Sequence, residues 1–173
     1  TRRLYGCDGV NREFEFDGEV YVPLTTGMGS VRAVAVACHK NHLFYLYNGS
    51  LQHSGIGNPY AWTPLLGAGE LGTGDIGTNL TTVSGSEASA ALMVQCQDST
   101  WVLYGTSAAD WQFQRISEEG GAQSYSAQAF DGAPIAFDQE NFTRYAPTQA
   151  FGNFSFNSIS RAVDPLLRGA RVK

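Results

Sequence analysis

Four side chains in the first third of the chain carry donors that zinc accepts. Cys38 offers a thiolate, and His39, His42 and His53 offer imidazoles. Cys38 and His39 are adjacent, so an extended strand points them to opposite sides. His39 and His42 straddle a turn and can converge. The plainer reading is preferred: neutral hairpin histidines and a core thiol, with no metal expected. Carboxylates come next, at Glu70, Asp75, Asp110, Glu118, Glu119, Asp138 and Glu140. Two of them at the right separation would make a glycosidase pair. Most flank turns, where Asp and Glu are usually solvated. No Ser, His and Asp set stands out, and there is no G-x-S-x-G elbow. Gly67-Ala68-Gly69-Glu70-Leu71-Gly72 spells G-x-G-x-x-G. A dinucleotide site needs a strand before that motif and a helix after it. Pro64 precedes and Gly74 and Gly77 follow, so the segment reads as a turn-rich loop and no cofactor is expected. The expectation is that the chain is not an enzyme.

Aromatic rings are the better binding signal. Tyr60, Trp62 and Trp111 could stack on sugar rings, whose apolar faces suit them. The preferred alternative for Trp62 is that it pins a long loop onto a sheet. Four Asn-x-Ser/Thr sequons, at Asn48, Asn79, Asn141 and Asn153, read as chance in a chain rich in Ser and Thr.

The elements that must position these residues are strands. Arg12 to Phe16 alternates, turns at Asp17-Gly18, and alternates again over Glu19 to Val22. Val31 to Cys38 reads as a buried strand. His42 to Tyr47 follows a tight turn at Lys40-Asn41, and Asn48-Gly49 turns into Ser50 to Ser54. Gly55 to Gly77 is rich in Gly and Pro and reads as a long ordered loop. Strands resume at Leu80 to Val83, Ala90 to Cys96, Thr100 to Tyr104 and Trp111 to Ile116. Gly120-Gly121 is a break. Tyr125 to Phe130, a turn at Asp131-Gly132, and Pro134 to Phe137 form another hairpin. Phe142 to Tyr145 and Phe151 to Phe156 end the β region. The best helical candidate, Ser160 to Arg171, is broken by Pro165. A turn followed by an aromatic-rich strand recurs at Phe14, Phe44, Trp101 and Phe142, which suggests four antiparallel meanders with uneven spacing.

Composition agrees. Of 173 residues, 43% are hydrophobic and only 16% charged, with 20 Gly and many Thr, Ser and aromatics. That suits a one-domain β protein with many turns. The net charge of −5 argues against general phosphate binding, although nucleic acid could still slide past such a surface. The basic residues gather at the ends: Arg2, Arg3, Arg161, Arg168, Arg171 and Lys173. Cys7, Cys38 and Cys96 are odd in number and far apart, which points to reduced thiols rather than a disulfide framework. No run approaches the ~18 apolar residues of a membrane span. Thr1 in place of Met points to a piece of a longer chain.

The segment His42-Leu43-Phe44, then Asn48 through Trp62, resembles a pattern in bacteriophage tail proteins: a hydrophobic strand, a hairpin, then a Ser … Gly-x-Pro … Trp turn. Thr100 to Gly105 with Trp111 to Ser117 and Gly120-Gly121 is similar, as is Ala133 to Asp138 with Phe142 to Tyr145. In this order, over roughly Asp8 to Tyr145, they resemble blades of the β-propeller nozzle or hub proteins of short-tailed phages and of related tail-tube and DNA-stabilisation proteins. The resemblance implies a structural virion protein of the tail, without catalytic residues, that joins a homo-oligomeric ring with neighbouring tail proteins. DNA would be retained, conducted and ejected through that ring without sequence-specific binding. Six blades would need roughly 250–300 residues, and this chain has room for about four.

The expected architecture is therefore all-β: an antiparallel, propeller-like meander or partial propeller over residues 1–160, with a long Gly/Pro-rich loop. Residues 161–173 would be a tail or the start of a following segment. The alternative from another class is an extracellular carbohydrate-binding β module using Tyr60, Trp62 and Trp111. A glycosidase-type propeller is a third reading.

Overall fold

A computed structural model describes residues 3–83, 90–118, 120–138, 141–147, 154–163 and 165–166. Arg2, Glu119, Glu140, Phe151, Asn153, Arg168, Arg171, Lys173 and most of the 161–173 segment lie outside the described residues.

Alternation and turn chemistry build four antiparallel sheets in chain order. The first holds β1 (Leu4–Gly6), β2 (Phe14–Phe16) and β3 (Tyr21–Pro23). The second holds β4 (Ala35–His39), β5 (His42–Tyr47), β6 (Ser50–His53) and β7 (Gly69–Gly72). The third holds β8 (Gly77–Val83), β9 (Ala91–Cys96), β10 (Thr100–Tyr104) and β11 (Gln112–Ser117). The fourth holds β12 (Gln128–Phe130), β13 (Ala133–Phe137), β14 (Phe142–Pro147) and β15 (Phe154–Ser158). Each is a meander in which every strand pairs with its chain neighbour. Each carries one of the recurring anchors Phe14, Phe44, Trp101 and Phe142.

The hairpin turns follow from their residues. Lys40 and Asn41 both adopt positive φ, 48° and 61°, as the right-handed twist of β4 and β5 demands of a two-residue loop. The Asp17 carboxylate accepts from the backbone N–H of Glu19 and Val20 at 2.9 and 2.8 Å, which closes the β2–β3 turn.

The sheets stack face against face. Between the first and second lie Leu24, Ala33, Leu43, Tyr45 and Tyr47. Between the second and third lie Phe44, Leu46, Leu51, Leu92, Val94 and Leu103. Between the third and fourth lie Met93, Val102, Ala136 and Tyr145, with Val83 and Ala91. β5 and β9 are buried at every position because each feeds two of these layers. The first strands touch in succession: β1 against β4, β4 against β8, and β8 against β12. Among the described residues no sheet is closed or curled on itself. Among the described residues no substantial contact returns from the fourth sheet to the first. No helix among them is long and apolar enough to cross a membrane.

Three sequence expectations need correction. The segment read as a loop from Gly55 to Gly77 contains a 3-10 turn at Pro64–Leu66 and the whole of β7. β7 pairs with β6, Gly69 opposite His53 and Gly72 opposite Ser50. A Cβ at 69 would lie 2.6 Å from His53 Nε2, so any larger residue there would have to displace that buried ring. A glycine-rich strand has no side-chain alternation to read. The strand expected from Val31 begins at Ala35 and is only partly buried. The Arg32 guanidinium curls the chain before it by donating to the carbonyl of Gly29 at 3.0 Å. The strand expected from Tyr125 begins at Gln128, since Tyr125 sits in a turn with φ 61°.

Candidate functional site

The three aromatic candidates occupy three environments. Tyr60 is half-exposed, and its hydroxyl donates to Glu15 Oε2 at 2.5 Å. Trp62 packs on Tyr45 with ring centroids 5.6 Å apart, and its indole N–H donates to the carbonyl of Pro59 at 2.8 Å. The indole therefore pins the loop onto the second sheet. Trp111 precedes β11 and stands between the second and third sheets, 4.8 Å from His42, 4.6 Å from His53 and 5.2 Å from Phe44. No ring contact joins Tyr60, Trp62 and Trp111 among the described residues.

The histidines do come together. His39 and His42 are cross-strand partners, and Phe44 pairs with His53, so all four side chains share the face of the second sheet that meets the third. His42 Nδ1 and His53 Nδ1 lie 2.6 and 3.0 Å from the same acceptor, the carbonyl of Ser54. Both rings therefore carry their proton on Nδ1. Among the described residues the buried Nε2 atoms of His39 and His42 have no hydrogen-bond partner. Burial, together with the Lys40 ammonium and His42, pushes the His39 imidazole down to about 4. Burial also lowers His53, against the Ser54 carbonyl. Cys38 lies exposed on the opposite face. Among the described residues no three His, Cys, Asp or Glu side chains are arranged to hold a metal ion. Burial pushes Cys7 up to about 12 and Cys96 up to about 11, so neither is a ready thiolate near neutrality.

Several carboxylates are committed to the backbone. Asp75 accepts from Ser99 Oγ at 2.7 Å and from the N–H groups of Ile76 and Asp98, joining the β9–β10 turn to the strand entry before it. Asp110 accepts from the hydroxyls and N–H groups of Thr106 and Ser107, which hold it down to about 2. Asp138 accepts from Asn141 N–H at 2.5 Å and Thr143 Oγ1 at 2.6 Å. Glu118 pairs with Arg115 at 2.5 Å on the surface.

Glu70 differs. It sits on β7 opposite Gln52 of β6, and Gln52 in turn sits opposite Tyr45 of β5. This row lies on the face toward the first sheet, and Trp62 covers its Tyr45 end. Above it opens a cleft of about 190 Å³, lined by Gly27, Gln52, Trp62, Pro64, Ala68 and Glu70. A second cleft of about 230 Å³ lies beside the β4–β5 turn, between Tyr5, Cys38, Leu43 and Pro59. It is mostly apolar, and no charged side chain lines it.

Sequence reasoning missed Glu15 and Gln52. In β2 and the residue before it the carboxylates face inward and the rings outward: Glu13 and Glu15 are buried, whereas Phe16 is 38% exposed. Glu13 accepts from the N–H of Ala33 at 2.8 Å. Glu15 receives Arg3 and Tyr60. The Arg-Glu-Phe-Glu-Phe alternation carried the signal, read with the usual assignment of apolar residues to the inside.

No protein-family model matches the chain, and no curated protein matches it significantly.

Proposed function

We propose that the chain is a structural protein of a bacteriophage tail, located in the virion. In this reading it forms part of a ring or tube, a nozzle, hub or head–tail connection, that retains and conducts DNA. The four meanders are then blades of a partial propeller, ordered by their first strands around a common axis. The role needs no catalytic group.

One observation carries the reading. The first sheet turns an apolar row away from its neighbour: Leu4 opposite Phe16 and Phe16 opposite Tyr21, exposed by 56%, 38% and 50%. Its carboxylates are buried on the other side. A sheet arranged so is built to receive another sheet on its bare face, just as each later sheet receives the one before it. An open array with such an end is completed by further blades or by a second copy, and closed assembly also covers strand edges that would otherwise template aggregation. The net charge of −5 suits a wall that DNA passes without sticking.

Solution mass by size exclusion with light scattering tests this. A defined oligomer with a central channel on imaging is the expected result. A monodisperse species of 18.7 kDa would overturn self-assembly. A strongly positive channel lining in an assembled ring would overturn the DNA-conducting role.

The runner-up, a carbohydrate module built on Tyr60, Trp62 and Trp111 together, has less support. Among the described residues no ring contact joins the three, and Trp111 packs on His42 and His53 between the second and third sheets.

A further inference from the structure

The cleft above Gln52 and Glu70 has the chemistry of a small polar binding site, independent of any role in a tail. We propose that it binds a single pyranose ring of a neutral sugar, with Trp62 as the apolar wall and Gln52 and Glu70 as the groups that recognise adjacent hydroxyls.

Gln52 supplies the first argument. It is 6% exposed as a residue and lines the cleft. An amide that opens onto a cleft offers its donor and its acceptor to whatever enters. Its N–H₂ donates and its carbonyl accepts. Glu70, directly opposite on β7, adds a pair of acceptor oxygens. Cross-strand partners stand about 5 Å apart at Cβ, which lets two planar groups converge on neighbouring oxygens. Vicinal hydroxyls, each both donor and acceptor, fit a paired amide and carboxylate.

The walls make the second argument. Trp62 is held on one side by Tyr45 and at its N–H by the carbonyl of Pro59, so its orientation is set before any ligand arrives. An indole matches the C–H face of a sugar ring. Gly27 leaves the space over the amide open: a Cβ there would lie 3.4 Å from Gln52 Oε1. A cleft of about 190 Å³ has room for one ring.

The test is titration of the intact chain with the methyl glycosides of glucose, galactose, mannose and N-acetylglucosamine. Saturation-transfer NMR reports contact, and the Trp62 indole and Gln52 amide resonances report location. One glycoside should give transfer and shift both resonances. Glu70→Gln, an exposed and conservative change, should weaken it about tenfold, as loss of a charged hydrogen bond does. Trp62→Ala should abolish it, and Glu118→Gln should leave it unchanged. Three results would each overturn the proposal: no transfer from any glycoside, transfer that survives Glu70→Gln and Trp62→Ala undiminished, or shifts produced only by N-acetyl-argininamide. The last would make the carboxylate and indole a cation site instead.

Discussion

The Tyr60 hydroxyl donates to Glu15 Oε2 at 2.5 Å, across 45 residues of chain, and so ties the long loop of the second sheet to the middle strand of the first. Arg3 reaches both partners. Burial alone would raise the Glu15 carboxyl. The hydroxyls of Tyr60 and Tyr5 and the Arg3 guanidinium more than offset it and hold the group below its usual range.

That balance predicts an acid-sensitive latch. A carboxyl depressed in the folded state stabilises it above the unfolded value of about 4.3, and the contribution is lost as pH falls through the lower folded value. Tyr60→Phe should release the loop at neutral pH, so that limited proteolysis within residues 55–68 becomes roughly a few-fold faster. Glu15→Gln should give the same release and remove the acid step from the stability profile. Unchanged cleavage in both variants would show that Trp62 alone holds the loop.

The histidine layer predicts a second and separate pH effect. His39 titrates at about 4 when folded. An unfolded histidine titrates near 6.5. The unfolded state therefore binds the proton first as pH falls. Stability drops from about pH 6.5 downward, by at most about tenfold in the folding constant per pH unit for each such group, and levels off once the folded state also protonates. The groups facing His39 are Lys40 and His42, both unable to compensate a new positive charge. His39→Phe, which keeps the ring beside Phe44, should flatten this slope in urea melts. A slope equal to that of the parent would place the titration elsewhere.

Much of this was legible in the chain, and the failures have physical causes. β5 was legible because an apolar run after Lys40-Asn41 and before Asn48-Gly49 has turns at both ends. The fourfold recurrence of Phe14, Phe44, Trp101 and Phe142 marked the four sheets, although only Phe44 and Trp101 pack between layers, while Phe14 lies on the outward face of the first sheet and Phe142 is 37% exposed. β7 escaped because Gly69 and Gly72 carry no side chain to alternate. The latch and the cleft escaped for a different reason. Glu15 and Tyr60 meet through tertiary packing, and Gln52 meets Glu70 only once β7 is known to pair with β6. The inverted burial of β2 was hidden by its own alternation, since period two gives two faces and no label for the inside.

Glycine at 121 predicts a backbone effect. A Cβ there would lie 2.0 Å from the Gln97 carbonyl oxygen and 2.4 Å from that of Cys96. Neither atom is a flexible side-chain end. The same segment anchors the third sheet, because Ala122 N–H donates to the Cys96 carbonyl at 2.9 Å. Gly121→Ala should therefore cost at least the ~1–3 kcal/mol of an overpacked site. Gly72→Ala, with open space around it, should stay within about 0.5 kcal/mol of the parent. Equal melting of the two variants would mean that the turn at Gln97 yields freely.

The bare face of the first sheet predicts where assembly is most vulnerable. Tyr21 stands on β3 beside Phe16, 50% exposed, with its ring 4.9 Å from that of Phe14. In an isolated chain, a charge at this position would remain in water and cost little, because half of the ring is already there. In an assembly that covers the face, the same charge would be buried without a partner, which costs far more than the lost apolar contact. Tyr21→Glu should therefore leave the melting of the dissociated chain nearly unchanged and dissociate the oligomer. Glu19→Gln on the preceding turn should alter neither. Light scattering across a dilution series reads the difference directly. An oligomer that tolerates Tyr21→Glu uses another surface, and the apolar row Leu4–Phe16–Tyr21 would then have to be covered by something other than a second copy of this chain.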